Sequence, residues 1–251
     1  MAGRFAGRFH DKLAVVTGAS RGLGRATALA LAREGAHVIA VARTEGGLTE
    51  LDDDIRALGS TATLVPLDLT DHAAIDRLGA VIFERWKKLD LLVGNAGILG
   101  KLTPITHADG KMWDDVMAIN VTANFRLIRS LDPLLRQSPA GRAVFVSSAA
   151  ARKCRPYWGP YSVSKAALEA LVKTWAGEIA NVSSVRANCF NPGPVRTKMR
   201  AQAMPGEDPL TLPTPEQVAE QMLAMCEAAF TDNGAVWQYT AEGLKPDVPG
   251  I

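Results

Sequence analysis

The chain has 251 residues, 47% of them hydrophobic and 22% charged, with 22 Gly and 14 Pro spread along its length; these are the proportions of an ordinary globular protein of one large domain. The first twelve residues carry Arg4, Arg8 and Lys12 against Asp11, and the other 239 hold 25 charges of each sign. A neutral body lacks the basic field of a nucleic-acid binder. No run approaches 18 apolar residues, which speaks against a membrane span. Cys154, Cys189 and Cys226 and the four histidines share no metal-ligand or disulfide spacing. No secretory signal is visible, so a cytoplasmic protein is expected, with residues 1–11 as a flexible tail.

Short apolar runs alternate with helix-length stretches. Strands are expected at Leu13–Thr17, His37–Ala42, Thr61–Pro66, Leu89–Gly94, Arg142–Ser147, Val185–Phe190 and Ala235–Thr240. They are rich in Val, Leu and Ile without clean alternation, as in strands buried on both faces of a parallel sheet. Helices are expected near 22–34, 45–58, 71–87, 111–135, 159–181 and 215–228. This alternation predicts an α/β, doubly wound parallel sheet of seven strands in a single domain over 1–251. The stretch 194–215 holds five prolines and no sustained period; it reads as a substrate-covering flap.

After the first strand comes Thr17-Gly-Ala-Ser-Arg-Gly-Leu-Gly24, then a helical run. A strand leading through Gly18, Gly22 and Gly24 into a helix N-terminus makes a phosphate site, because glycine allows close backbone approach and the free N–H groups attract an anion. Ser20, Arg21 and Leu23 lie within that turn. An NAD-specific site offers a carboxylate at the tip of the second strand. Here the tip is Ala42-Arg43-Thr44, and Arg43 with Ser20 and Arg21 suits a 2′-phosphate, so NADP is expected over NAD, with NADPH bound tighter than NADH.

Tyr161 and Lys165 are four residues apart, on one helical face. A phenol with a pKa of about 10 is almost wholly protonated near neutrality, and an adjacent ammonium favours its anion. Such a pair exchanges a proton with a carbonyl or alcohol oxygen. Ser147 and Ser148 end the fifth strand, and the Ser148 hydroxyl is placed to polarise the same carbonyl. Asn120 and Asn124 fall on the stripe Trp113, Met117, Val121, Phe125 and Ile128 of the 111–135 helix. Functional and structural roles stay open for Asn120; Asn124 reads as structural.

In this order the motifs resemble the short-chain dehydrogenase/reductase family from Lys12 to Gly243, and the flap is similar to an uncharacterised bacterial branch of it. The resemblance rests on Thr17-Gly-x-x-x-Gly-x-Gly24, Asp68-Leu69, Asn95-Ala96-Gly97, Asn120, Ser148, Tyr161-x-x-x-Lys165 and Asn191-Pro192-Gly193-Pro194-Val195-Arg196-Thr197. It implies a Rossmann sheet binding NADP(H), with Tyr161 as acid/base. Lys165 would hold the ribose and lower the phenol pKa, Ser148 would orient the carbonyl, and Asn120 would support a water leading to Lys165. Asp68 and Leu69 would contact adenine and Asn95 its ribose. Pro192, Gly193, Val195 and Thr197 would grip the nicotinamide end. A homotetramer or homodimer built on the helices near 111–135 and 159–181 is also implied. The usual Asp-Gly-Gly after the last strand is replaced by Ala241-Glu-Gly243. Cys154, Trp158, Pro194, Met199 and Met204 are expected to close a mostly apolar substrate pocket. The reading is then reduction of a small carbonyl compound or the reverse oxidation of an alcohol. A 3-oxoacyl thioester reductase and a non-catalytic NADP-binding module are the alternatives.

Overall fold

The structure, a computed structural model, describes residues 7–247. Among the described residues eight strands form one sheet: β1 (Leu13–Thr17), β2 (His37–Ala42), β3 (Ala62–Pro66), β4 (Leu91–Gly94), β5 (Arg142–Val146), β6 (Arg186–Asn191), β7 (Val236–Thr240) and β8 (Gly243–Pro246). Their order is β3-β2-β1-β4-β5-β6-β7-β8, parallel except for the antiparallel β7–β8 pair. Seven strands were expected. The eighth arises because Thr240 and Gly243 pair across a tight turn that sends the chain back along β7.

Apolar residues on both strand faces meet helices on both sides. Ala14, Val16, Val38 and Ala40 pack into the core shared with α1 (Gly22–Arg33), α2 (Glu45–Ala57) and α9 (Pro215–Ala224). Leu13, Val15, Ile39 and Val41 pack into the core shared with α3 (His72–Trp86), α5 (Ala123–Leu135) and α7 (Gly159–Ile179). This is why the strands read as continuous apolar runs. The chain winds outward from β1 to β3, then returns to β4 beside β1. That reversal opens a crevice at the carboxyl ends of β1 and β4, where ligands bind in such sheets.

Three expectations change. The 111–135 helix is interrupted: α4 (Gly110–Met117) passes through a π turn at Ala118–Thr122 into α5. The widened turn shifts the phase, so Asn120, Asn124 and Leu127 are buried whereas Phe125 is 45% exposed. The stretch 194–215 has regular structure. It contains α8 (Lys198–Ala203), capped by Thr197, and a 3-10 turn at Pro209–Thr211, and the Arg196 guanidinium donates to the carbonyls of Pro209, Leu210 and Leu212. A short α6 (Ala150–Lys153) also precedes α7.

The flexible-tail expectation for residues 1–11 fails over 7–11; residues 1–6 lie outside the described residues. Phe9 is 2% exposed in the α1-side core, its N–H bonds to the Glu34 carbonyl, and Arg8 pairs with Glu34, Glu220 and Glu227. Truncating a buried phenylalanine leaves a cavity, so Phe9→Ala should cost about 3–5 kcal/mol of stability in urea unfolding. A loose tail would give no change.

Candidate active site

The turn after β1 is built for close approach. Gly18 has φ +67, and a Cβ on Gly24 would sit 2.3 Å from Asn95 Nδ2 and 2.4 Å from the Gly18 carbonyl. The Thr17 hydroxyl accepts the N–H groups of Asn95 and Ala96, each at 3.0 Å, and Asn95 Nδ2 donates to the Thr17 carbonyl at 2.8 Å. The glycine turn is thereby tied to the loop after β4 across the crevice. The Asn95 Nδ2 thus shapes the turn from across the crevice. Leu23, Leu69 and Val195 are also buried, at 8%, 8% and 6% exposure.

The turn fits a dinucleotide. α1 begins without a side-chain cap and with no acidic residue in its first turn, so its N–H groups and dipole face the crevice without a carboxylate in competition. Ser20 and Arg21 lie beside it, and a Cβ on Gly22 would touch Thr197 at 3.5 Å, which brings the loop after β6 to the same turn. Arg43 at the tip of β2 is 74% exposed, its nearest carboxylate being Asp68 at 3.8 Å. Asp68 is held in turn by the N–H and hydroxyl of Thr70, which keep its carboxyl below the usual range.

Across the crevice the fifth strand splits its two serines. Ser147 Oγ turns back to donate to Glu169 Oε1 at 2.5 Å, whereas Ser148 Oγ accepts the Ala150 N–H at 3.2 Å and lies near enough to Tyr161 to oppose the rise of its pKa. Tyr161 and Lys165 stand one turn apart on α7, 8% and 3% exposed, and Lys165 Nζ donates to the Val146 carbonyl at 2.7 Å. The missing side chain of Gly97 leaves room for the ammonium, since a Cβ there would lie 3.4 Å from Nζ and 3.2 Å from Asn120 Oδ1. Asn120 Oδ1 accepts the Ile98 N–H, while its Nδ2 donates to the Ile98 carbonyl and to Ser164 Oγ, which itself donates to the Tyr161 carbonyl. The amide thus braces β4's loop against α7. Asn124 donates to the Asn120 carbonyl, the structural role expected of it.

The sequence omitted Leu99, Leu102 and Ala203. These three form an apolar cluster around Tyr161 with Ala150, Trp158 and Met204. Leu99 and Leu102 follow β4, so the rule that ligands lie at strand carboxyl ends would have found them. Trp158 meets Tyr161 edge-on at 6.0 Å. Of the other expected pocket residues, Cys154 and Pro194 are exposed and Met199 is 37% exposed, none within that cluster.

The electrostatics correct one expectation. Burial, not the neighbouring ammonium, dominates the phenol: it pushes Tyr161 up to about 12, with nearby Ser148 pulling the other way. Burial also pushes Lys165 down to about 8. Between pH 8 and 10.5 the unfolded chain therefore binds more protons at this lysine than the folded chain, and folded stability rises with pH. Relative to Lys165→Met, the wild type should gain on the order of 3 kcal/mol across that window in urea titrations, at 1.36 kcal/mol per pKa unit. A constant difference would refute the buried ammonium.

The sequence model for the family described as short chain dehydrogenase matches residues 12–208. The chain is 40% identical over 212 residues to the uncharacterised oxidoreductase YciK of Escherichia coli K12, covering 83% of each chain. A short-chain dehydrogenase from Pseudomonas syringae superposes with a TM-score of 0.90 at 39% identity, covering 93% of this chain and 96% of the other. One from Shigella flexneri 2a, described as complexed with NADP, gives 0.89 at 36% identity, covering 93% and 99%. No helix among the described residues is long and apolar enough to cross a membrane. By sequence, strand order and crevice alike, the chain belongs to the short-chain dehydrogenase/reductase family of oxidoreductases, within an uncharacterised bacterial branch of it.

Proposed function

We propose that the protein transfers hydride between NADP(H) and a carbonyl or secondary alcohol of a small, mostly apolar substrate, with Tyr161 as the acid/base. The observation that carries this reading is the buried phenol of Tyr161, one helical turn from the buried Lys165 amine and close to Ser148. When bound, the nicotinamide supplies or accepts the hydride. The glycine turn and α1 N-terminus would hold its diphosphate, Ser20, Arg21 and Arg43 the 2′-phosphate, and Pro192, Gly193 and Thr197 the nicotinamide end. The NADP complex of the Shigella flexneri relative supports the choice of nucleotide.

At neutral pH the phenol is protonated, ready to give its proton to a carbonyl oxygen as that oxygen becomes an alkoxide. Ser148 donates to the same oxygen, a hydrogen bond that strengthens as charge develops. Lys165 stabilises the resulting phenolate, and in the oxidative direction makes the base form reachable. The cluster of Leu99, Leu102, Trp158 and Met204 excludes water and favours apolar substituents on the carbonyl. We also infer self-association through α5 and α7, which leave Phe125 and Val163 45% and 42% exposed.

Aldehydes and ketones screened by NADPH oxidation test the reaction. Tyr161→Phe should lower kcat by about 10²–10⁴-fold while the NADPH Kd changes little; tight binding without turnover in wild type and variant alike would favour a pure binding module. Arg43→Ala should weaken NADPH about tenfold and leave NADH unchanged, because only the former offers a 2′-phosphate to a charge-assisted hydrogen bond. Equal loss for both nucleotides would overturn the NADP assignment.

A further inference from the structure

Two loops converge on the candidate site from adjacent strands: Ser147–Ala150 after β5, which carries Ser148, and Pro192–Thr197 after β6. Asn191 joins them. Its side chain is buried, and Oδ1 accepts the N–H of Ala149 at 3.2 Å and the N–H of Gly193 at 3.1 Å. Because Oδ1 takes two donors, the amide must point Nδ2 the other way, where it donates to Asp247 Oδ2 at 2.8 Å.

Asp247 reaches this place only because β8 doubles back along β7; its N–H bonds the Val236 carbonyl at 2.8 Å. The same carboxylate pairs with Arg152 of α6, which also donates to the Asp247 carbonyl. Arg152 lies 4.0 Å from Glu169, the acceptor of Ser147 Oγ. The carboxylate is thus held from both sides, with a side-chain exposure of 13%.

We propose that Asp247 is a positioning residue for the reaction: through Asn191 and Arg152 it fixes the Ser148 loop and the loop after β6 in one register. A side-chain amide bridging two backbone N–H groups can rotate unless its far end is anchored, and the charge-assisted bond to Asp247 is the anchor. Misplacement by about 1 Å of groups that must converge on one reacting oxygen costs on the order of a hundredfold in rate. This inference rests on the hydride-transfer reading, but the clasp can be observed without turnover.

The first measurement is hydrogen–deuterium exchange on the full chain. Asp247→Ala should speed exchange together in peptides covering 147–151 and 191–197, with the amides of Ala149 and Gly193 losing most protection. Unchanged protection in both loops, or loss confined to β7 and β8, overturns the proposal. The second is a swap. Asn191→Asp sets two carboxylates face to face and should lower kcat at least tenfold, whereas adding Asp247→Asn restores a donor opposite an acceptor and should recover kcat to within about threefold of wild type. A double variant no faster than Asn191→Asp also overturns the proposal, since a generic packing defect at Asn191 would not be relieved by a change at Asp247. Tyr161→Phe in the same assay separates the two readings. If wild type and Tyr161→Phe are equally inactive, the hydride-transfer reading fails and exchange still decides the clasp; if only Tyr161→Phe is slow while Asp247→Ala and Asn191→Asp run at full rate, the clasp fails alone.

Discussion

A charged amine taken out of water must be given back most of what water supplied, or the helix that carries it will not seat. Lys165 meets that demand with the Val146 carbonyl at 2.7 Å, the last acceptor of β5 as the strand leaves the sheet. Seating Lys165 there sets the rotation of α7, and the rotation places Tyr161 one turn earlier toward Ser148. The apolar side of α7 makes this affordable: Leu168, Val172, Trp175, Ala176 and Ile179 are all 5% exposed or less in the core they share with α3 and α5. Each large side chain buried contributes roughly 1.5–3 kcal/mol, so together they outweigh one desolvated ammonium.

The rest of the site is a set of braces that keep strand ends from drifting relative to α7. Thr17 and Asn95 join the first and fourth strand ends. Asn120, lying in a π turn, joins the loop after the fourth strand to α7 through Ile98 and Ser164. Asn191 joins the fifth and sixth. Three of these braces are asparagines because a primary amide donates and accepts at once, and can bond a backbone on each side of a gap without introducing charge. Asn95 and Asn120, marked by sequence as site residues, thus also act as structural joints.

Strand positions were readable to within two residues because both faces are covered, and a run such as Leu13–Thr17 has no competing reading once glycines follow it. Tyr161 and Lys165 were readable because a spacing of four is a local property of any helix. Phe9 was not: its short Gly-Arg-Phe context reads as a polar, glycine-rich terminus, and its burial depends on a core assembled from distant parts of the chain. The π turn was equally hidden, since the pattern over 111–135 fits an ordinary helix and only the demand that Asn120 reach Ile98 selects the wider turn.

By itself the sequence determined the α/β alternation, the glycine turn at the start of the first helix and the Tyr161–Lys165 pair, all set by short-range sterics and helical periodicity. Tertiary structure alone decided that Ser147 turns back to Glu169, that burial raises the Tyr161 pKa, and that Asp247 comes to lie against Asn191. Those outcomes depend on distances between groups far apart along the chain, and on solvent exclusion, neither of which leaves a local trace in the order of residues.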